Sequence, residues 1–305
     1  MATAEALHTF YERPKRVSRG PRANGHVVVK LTNPDKLLYP ESGVTKKDVF
    51  DYYARVAKWM VPHVARRPLN LRRCPHGWKR GFFQQHAQGK LPEGLRKIDV
   101  VDASGPSNRI VLDDERGLVA LAQMNVLEIH GWCAREPALD APDMLVFDLD
   151  PDPSVTWAAV VDAARVIRQR LGDQKLESWV KVTGGKGVHV CVAIERTISW
   201  DRARDLTREL SEGLVRDQPE KFVATASKAK RSGKIFIDFF RNGKGATIVL
   251  PYSTRARSGA PVAVPVEWDE LDGVKPNGFS LASTLARLEK IGDPWADMKP
   301  QRVHA

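Results

Sequence analysis

Apolar positions along the chain switch between two periods, and the switches mark its elements. From Thr45, the run TKKDVFDYYARVAKWMVP places Val49, Tyr52, Tyr53, Val56 and Met60 three and four residues apart, the spacing of one helix face. Thr45 is a fitting N-cap and Pro62 a fitting stop. VLEIHGW, residues 126 to 132, alternates instead: Leu127 and Ile129 share one face and Glu128 and His130 the other, the pattern of a half-buried strand. MLVFDLDPDP, residues 144 to 153, opens as a continuous apolar run, the pattern of a buried strand. A helix is expected from Thr156 to Leu171, with Trp157, Val160, Val161 and Ala164 on one side and Gly172 as its stop. SWVKVT and VHVCVAI follow as short strands joined by GGKG. A helix over about 201 to 215 and a buried strand in KIFIDFF, 234 to 240, complete the series.

Strand, helix, strand, strand, helix, strand is the order of a ferredoxin-like or RNA-recognition-like sheet. The fold class is therefore α/β, with this catalytic sheet packed on an N-terminal α/β lobe. The lobe is expected over about 26 to 135, the catalytic module over about 140 to 260 and a C-terminal segment over 261 to 305. Within that segment the Pro-rich SGAPVAVPVEW reads as connecting or edge structure. Residues 1 to 25 carry Arg13, Lys15, Arg16, Arg19 and Arg22 among Pro and Gly, the composition of a flexible basic arm.

Charge changes the picture more than composition does. Lys and Arg outnumber Asp and Glu by 48 to 37, a net +11 that favours polyanionic partners. No apolar stretch approaches the roughly 18 residues of a membrane span, and the amino terminus does not resemble a signal peptide, so a cytoplasmic protein is expected. Cys74, Cys133 and Cys191 lie far apart with no CxxC pair, and Cys74, His76 and His86 match no common zinc spacing. A second basic segment, ARRPLNLRRCPHGWKRGFFQQH, interleaves Arg66, Arg67, Arg72, Arg73, Lys79 and Arg80 with Trp78, Phe82 and Phe83. It reads as loop or hairpin. Cations beside aromatics suit a surface that stacks bases and neutralises phosphates, while Phe82 and Phe83 would equally suit a core strand.

The candidate chemistry sits at the strand ends. Asp148 and Asp150 flank Leu149, so both carboxylates point to one face, where repulsion favours binding of hard cations such as Mg²⁺ or Mn²⁺. Asp238 interrupts IFIDFF just as Asp148 interrupts MLVFDL. Three carboxylates on neighbouring strands suit two metals roughly 3.5–4 Å apart, the arrangement that clamps attacking and leaving oxygens in phosphoryl or nucleotidyl transfer. Asp148 to Asp152 would also serve as a strand-end turn and helix cap, and spacing alone leaves both readings open. In KVTGGKGVHV, Gly184, Gly185 and Gly187 permit close backbone approach to a phosphate and Lys186 supplies charge, although no P-loop pattern is present. His189 alternates onto the same face. Lys228, Lys230, Arg231, Lys234, Arg241, Lys244, Arg255 and Arg257 crowd around Asp238, as a phosphate-rich ligand requires.

These stretches together resemble the polymerase domain of bacterial ligase D, a member of the archaeo-eukaryotic primase superfamily that acts in non-homologous end joining. LTNPDKLLYPESGVTKKDVFDYY, GFFQQH, VLEIHGW, FDLDPDP, GGKGVHV, KIFIDFFRN and PYSTRARSGAPV occur in the family's order over about residues 28 to 295. The resemblance implies that Asp148, Asp150 and Asp238 bind two divalent metals and catalyse nucleotide addition from an NTP or dNTP to a primer 3′-hydroxyl, ribonucleotides being preferred. It implies that His130, Thr183, Gly185, Lys186, His189, Arg241 and Arg255 line the incoming nucleotide. Asn33, Lys36 and Lys46 match a pocket for a DNA 5′-phosphate, and Phe82 and Phe83 an aromatic pair that stacks on the template. A Ku-type end-binding protein, a DNA ligase and the bacterial nucleoid follow as expected company. Thr183 stands where the family usually has serine. With no KxDG motif, the chain is expected to be either an excised domain or a stand-alone polymerase.

Two other readings compete. A haloacid-dehalogenase-like phosphohydrolase would use Asp148 as nucleophile, but it expects Thr or Val where Asp152 stands and leaves GGKGVHV unexplained. A non-catalytic module bridging DNA ends through its basic face would need none of the aspartates.

Overall fold

The computed structural model describes residues 29–102 and 105–303; the basic arm expected over 1 to 25 lies outside them. The chain opens with a short hairpin, β1 (Leu37–Tyr39) and β2 (Val44–Thr45), that leads into α1 (Lys46–Val64). Thr45 and Asp48 cap each other: the Asp48 amide donates to Thr45 Oγ1 at 3.2 Å and the Thr45 amide to Asp48 Oδ2 at 2.8 Å. Val49, Tyr52, Tyr53, Val56 and Met60 are buried, as their spacing requires. Pro62 does not stop the helix, which runs two residues further to Val64. A proline in the last turn removes a single hydrogen bond and its fixed φ is helical, so the turn tolerates it.

A six-stranded sheet forms the lobe. β3 (Leu69–Arg73), β4 (Phe82–Gln84), β5 (Leu95–Asp102), β6 (Gly105–Leu112) and β7 (Val126–Gly131) belong to it, with α2 (Glu115–Gln123) inserted before β7. The basic segment is thus a β3–β4 hairpin in which Arg72 faces Phe83 and Arg73 faces Phe82. β7 is buried on both faces rather than half-buried. Its polar face is covered by residues 253 to 256, where Ser253 Oγ accepts from the Ile129 amide at 2.8 Å and Glu128 Oε1 accepts from the Ala256 amide at 3.0 Å.

The second sheet carries β8 (Met144–Pro151), α3 (Trp157–Asp173), β9 (Trp179–Val182), β10 (Val188–Ala193), α4 (Trp200–Asp217), β11 (Phe222–Val223) and β12 (Ile235–Asp238). Thr156 caps α3, but Gly172 lies within its last turn; the left-handed residue that ends it is Lys175. Strand order is β11-β12-β8-β10-β9, so β8 lies between β12 and β10, both antiparallel to it. That is the expected ferredoxin-like arrangement with β11 added at the edge. KIFIDFF is strand only as far as Asp238, whose Oδ1 accepts the Phe240 amide at 3.1 Å and starts a 3-10 turn.

The chain then returns to the lobe. β13 (Ile248–Val249), inside the span expected for the catalytic module, pairs with β7 instead, Val249 opposite His130. β14 (Val264–Val266), from the Pro-rich stretch, closes the second sheet as an edge strand on β9, and α5 (Leu281–Ile291) packs near α1. No helix among the described residues is long and apolar enough to cross a membrane.

Candidate active site

Register decides where the acids meet. Asp238 on β12 and His189 on β10 both stand directly opposite Asp148 on β8, so one row crosses three strands on a single face. Asp150 lies two residues along β8 on that face. The β9–β10 turn reaches over them: Gly184 takes φ +66°, and a Cβ on Gly187 would lie 2.1 Å from the Leu149 carbonyl oxygen. Only glycine lets this turn lie so close to the acidic strand.

The face opens into a cavity of about 470 Å³ lined by Asp148, Asp150, Asp238, His130, Thr183, Gly185, Lys186, His189, Arg241 and Arg255, with Phe83 at its edge. Arg231, Arg257 and Thr247 also line it. The two arginines stood out in the sequence only as members of a basic crowd. Thr247 carries no local signal at all.

Each carboxylate is met by cations at moderate range. Arg241 Nε lies 3.2 Å from Asp148 and 3.1 Å from Asp238, bridging the two. Lys186 Nζ is 3.1 Å and Arg231 Nη1 3.5 Å from Asp150. His189 Nε2 is 3.4 Å from Asp148. Burial alone would raise the Asp148 pKa, but the contacts of His189 and Arg241 outweigh it and hold the carboxyl well below its usual range. Asp238 moves the other way: burial and the Asp148 charge raise it against the pull of Arg241. Burial brings His189 down to about 4, so its imidazole is neutral at neutral pH.

The wall opposite the aspartates is organised by Glu128, which the sequence showed only as sharing a face with His130. Its carboxylate accepts from His130 Nε2 at 2.8 Å and lies 3.4 Å from Arg255 Nε. Burial works against the ion, yet His130, Arg255 and the Ala256 amide bring its pKa down to about 2. Arg255 in turn donates to the Thr183 carbonyl and joins the wall to the glycine turn.

One expected group lies outside the cavity and a second reaches it only through Phe83. Lys46 Nζ donates to the Thr32 carbonyl at 3.0 Å, and the Lys36 carbonyl accepts the Lys46 amide at 2.8 Å, so Asn33, Lys36 and Lys46 gather at the start of α1. Phe82 does not line the cavity; both it and Phe83 are about half exposed, with Arg73 and Arg72 over their rings at 5.7 and 5.6 Å.

Among the described residues no three His, Cys, Asp or Glu side chains form a ready metal cluster. Cys74 Sγ lies 3.9 Å from the Trp78 carbonyl and His86 Nδ1 3.3 Å from the Asn108 carbonyl. The aspartates nevertheless offer a set of hard oxygen donors, and the Arg241 guanidinium between Asp148 and Asp238 marks that gap as a place for positive charge.

The family model described as "LigD, primase-polymerase domain" matches residues 45–295. The multifunctional non-homologous end joining protein LigD of Pseudomonas aeruginosa is 35% identical over 287 residues, 93% of this chain and 34% of that protein. The Mycolicibacterium smegmatis LigD is 35% identical over 87% of the chain and 35% of its own length, and the bifunctional LigD of Bacillus subtilis 26% identical over 89% and 44%. The chain thus spans about a third of the multifunctional relatives. The solved polymerase domain of Mycobacterium tuberculosis ligase D in complex with DNA superimposes with a TM-score of 0.84 at 34% identity, covering 90% of this chain and 98% of that one. The chain therefore belongs to the LigD primase-polymerase domain family, a family of nucleotidyltransferase enzymes.

Proposed function

We propose that the chain is a template-dependent polymerase that adds nucleotides, ribonucleotides in preference, to primer 3′-ends at DNA gaps and double-strand breaks. The observation that carries this is the meeting of Asp148, Asp150 and Asp238 with Lys186, Arg231, Arg241 and Arg255 in one cavity edged by an exposed aromatic. Carboxylates alone would suit a simple cation site and cations alone an anion site. Both on one wall suit a metal-bound triphosphate.

Asp148, Asp150 and Asp238 would hold two divalent cations, Mg²⁺ or Mn²⁺, which when bound lower the pKa of a primer 3′-hydroxyl and neutralise phosphate charge. Arg241, Lys186 and Arg255 would bind the phosphates. Thr183 Oγ1 donates to the Gly187 carbonyl at 3.0 Å, which leaves its lone pairs to accept from a ribose 2′-hydroxyl. Phe82 and Phe83 stack on the template, while Asn33, Lys36 and Lys46 hold a downstream 5′-phosphate. A Ku-type protein and a ligase activity would complete the repair in the bacterial cytoplasm; the longer relatives are named for non-homologous end joining. The phosphohydrolase and bridging readings have no support from the family assignment.

The test is extension of a primer across a short gap with Mn²⁺, run in parallel with ribo- and deoxyribonucleotides. Extension by the wild type, faster with ribonucleotides, and none by Asp148→Ala is expected; equal extension by the variant defeats the proposal.

A further inference from the structure

The row of side chains across the catalytic sheet does not end at His189. Its partner on β9 is Lys181, so Asp238, Asp148, His189 and Lys181 form one line over four strands. Lys181 is fully buried. Its ammonium donates one hydrogen bond, to the Val249 carbonyl on β13, and lies 5.9 Å from the Trp295 ring. No carboxylate of the described residues comes within ion-pair distance of it.

Such a group does not stabilise a fold. An ammonium taken out of water with a single carbonyl for company carries a large desolvation cost, and an apolar side chain of the same length would pack there more favourably. Burial lowers its pKa to about 8, which still leaves it mostly charged at neutral pH. What the ammonium does is mechanical as well as electrical. β9 belongs to the aspartate sheet and β13 to the lobe sheet, and Val249 stands opposite His130 on β7. Val249 and His130 both line the cavity. Arg255 joins the two walls at the glycine turn through Thr183 and Glu128; Lys181 joins them from within the core.

Resting on the polymerase reading, we propose that Lys181 is a positioning residue: its bond to the Val249 carbonyl sets the distance between the aspartates and the His130 wall that receives the nucleotide. Lys181→Met tests this in gap filling. The expected result is an unchanged or higher melting temperature together with a nucleotide KM raised by roughly tenfold or more, the worth of a charge-assisted hydrogen bond, and a smaller change in kcat. Lys181→Gln, a neutral donor, should recover much of the KM. An unaltered KM in the Met variant overturns the assignment. So does a fall in melting temperature that parallels the loss, or a Gln variant no better than Met. A wild type that extends no primer would instead defeat the polymerase reading itself.

Discussion

Two cavities of this molecule gather opposite charges, and they do so in different ways. Behind β13, Asp143 takes both guanidinium nitrogens of Arg67 at 2.7 and 3.0 Å and Arg135 at 3.0 Å, with Arg196 at 3.6 Å. Arg67 also donates to the carbonyls of His63 and Trp132. That network is closed: bidentate, buried and satisfied by backbone. In the proposed catalytic cavity no aspartate has a bidentate partner among the described residues, and the contacts run from 3.1 to 3.5 Å. Loose pairing leaves lone pairs and N–H groups available to a ligand that brings both metal and phosphate. One network builds the fold; the other is the one proposed to receive substrate.

The sharpest way to break this contrast is to remove one acid from each. Asp238→Asn should lower extension at least about a thousandfold while leaving thermal stability near that of the wild type, because its neighbours already tolerate a half-satisfied site. Asp143→Ala should do the reverse. It strands buried arginines and is expected to lower folding stability by about 3–5 kcal/mol, read as a shift in urea midpoint, with kcat per folded molecule retained. A large stability loss in the first variant, or lost turnover in the second, would erase the distinction.

Much of the catalytic half was legible because its cues are local. Short apolar runs ending in acids gave β8 and β12, and side-chain alternation put Asp148 and Asp150 on one face. The residues that misled are those whose role depends on distant chain. Arg67 reads as one cation in a basic run, yet it is bound to a carboxylate 76 residues away. Lys181 sits between Val180 and Val182 in a stretch legible only as a short strand, and nothing local shows that β13 returns to cover it. β13 itself has two residues, too few for any period to show, and its pairing with β7 is a purely tertiary event.

Glu128 sharpens the comparison from the other side, since it borders the catalytic cavity yet is bound as firmly as Asp143. Its folded pKa, about 2, lies below its ordinary 4.5, so its ionised form stabilises the fold above pH 4.5 and that contribution fades as the pH falls toward 2. The full contribution is roughly 3 kcal/mol for a shift of this size. Urea midpoints of the wild type and Glu128→Gln should therefore differ most near pH 7 and draw together only as the pH falls toward 2. A gap independent of pH would return Glu128 to the loosely held group.

The smallest expected effect lies outside both cavities, at the start of α1. Lys46 is buried and its ammonium meets the Thr32 carbonyl, while burial and the nearby Lys36 charge lower its pKa. Among the described residues no carboxylate closes this pair, and the first-turn amides of α1 add positive potential, so the group resembles the open network rather than the closed one. If it receives a 5′-phosphate, Lys46→Ala should weaken binding to gapped DNA by about tenfold when that phosphate is present and hardly at all when a 5′-hydroxyl replaces it. Both affinities must be measured at one salt concentration, because loss of a general phosphate contact would weaken the two substrates alike. Equal weakening would make Lys46 a non-specific backbone contact and leave the loose pairing of charge a property of the catalytic cavity alone.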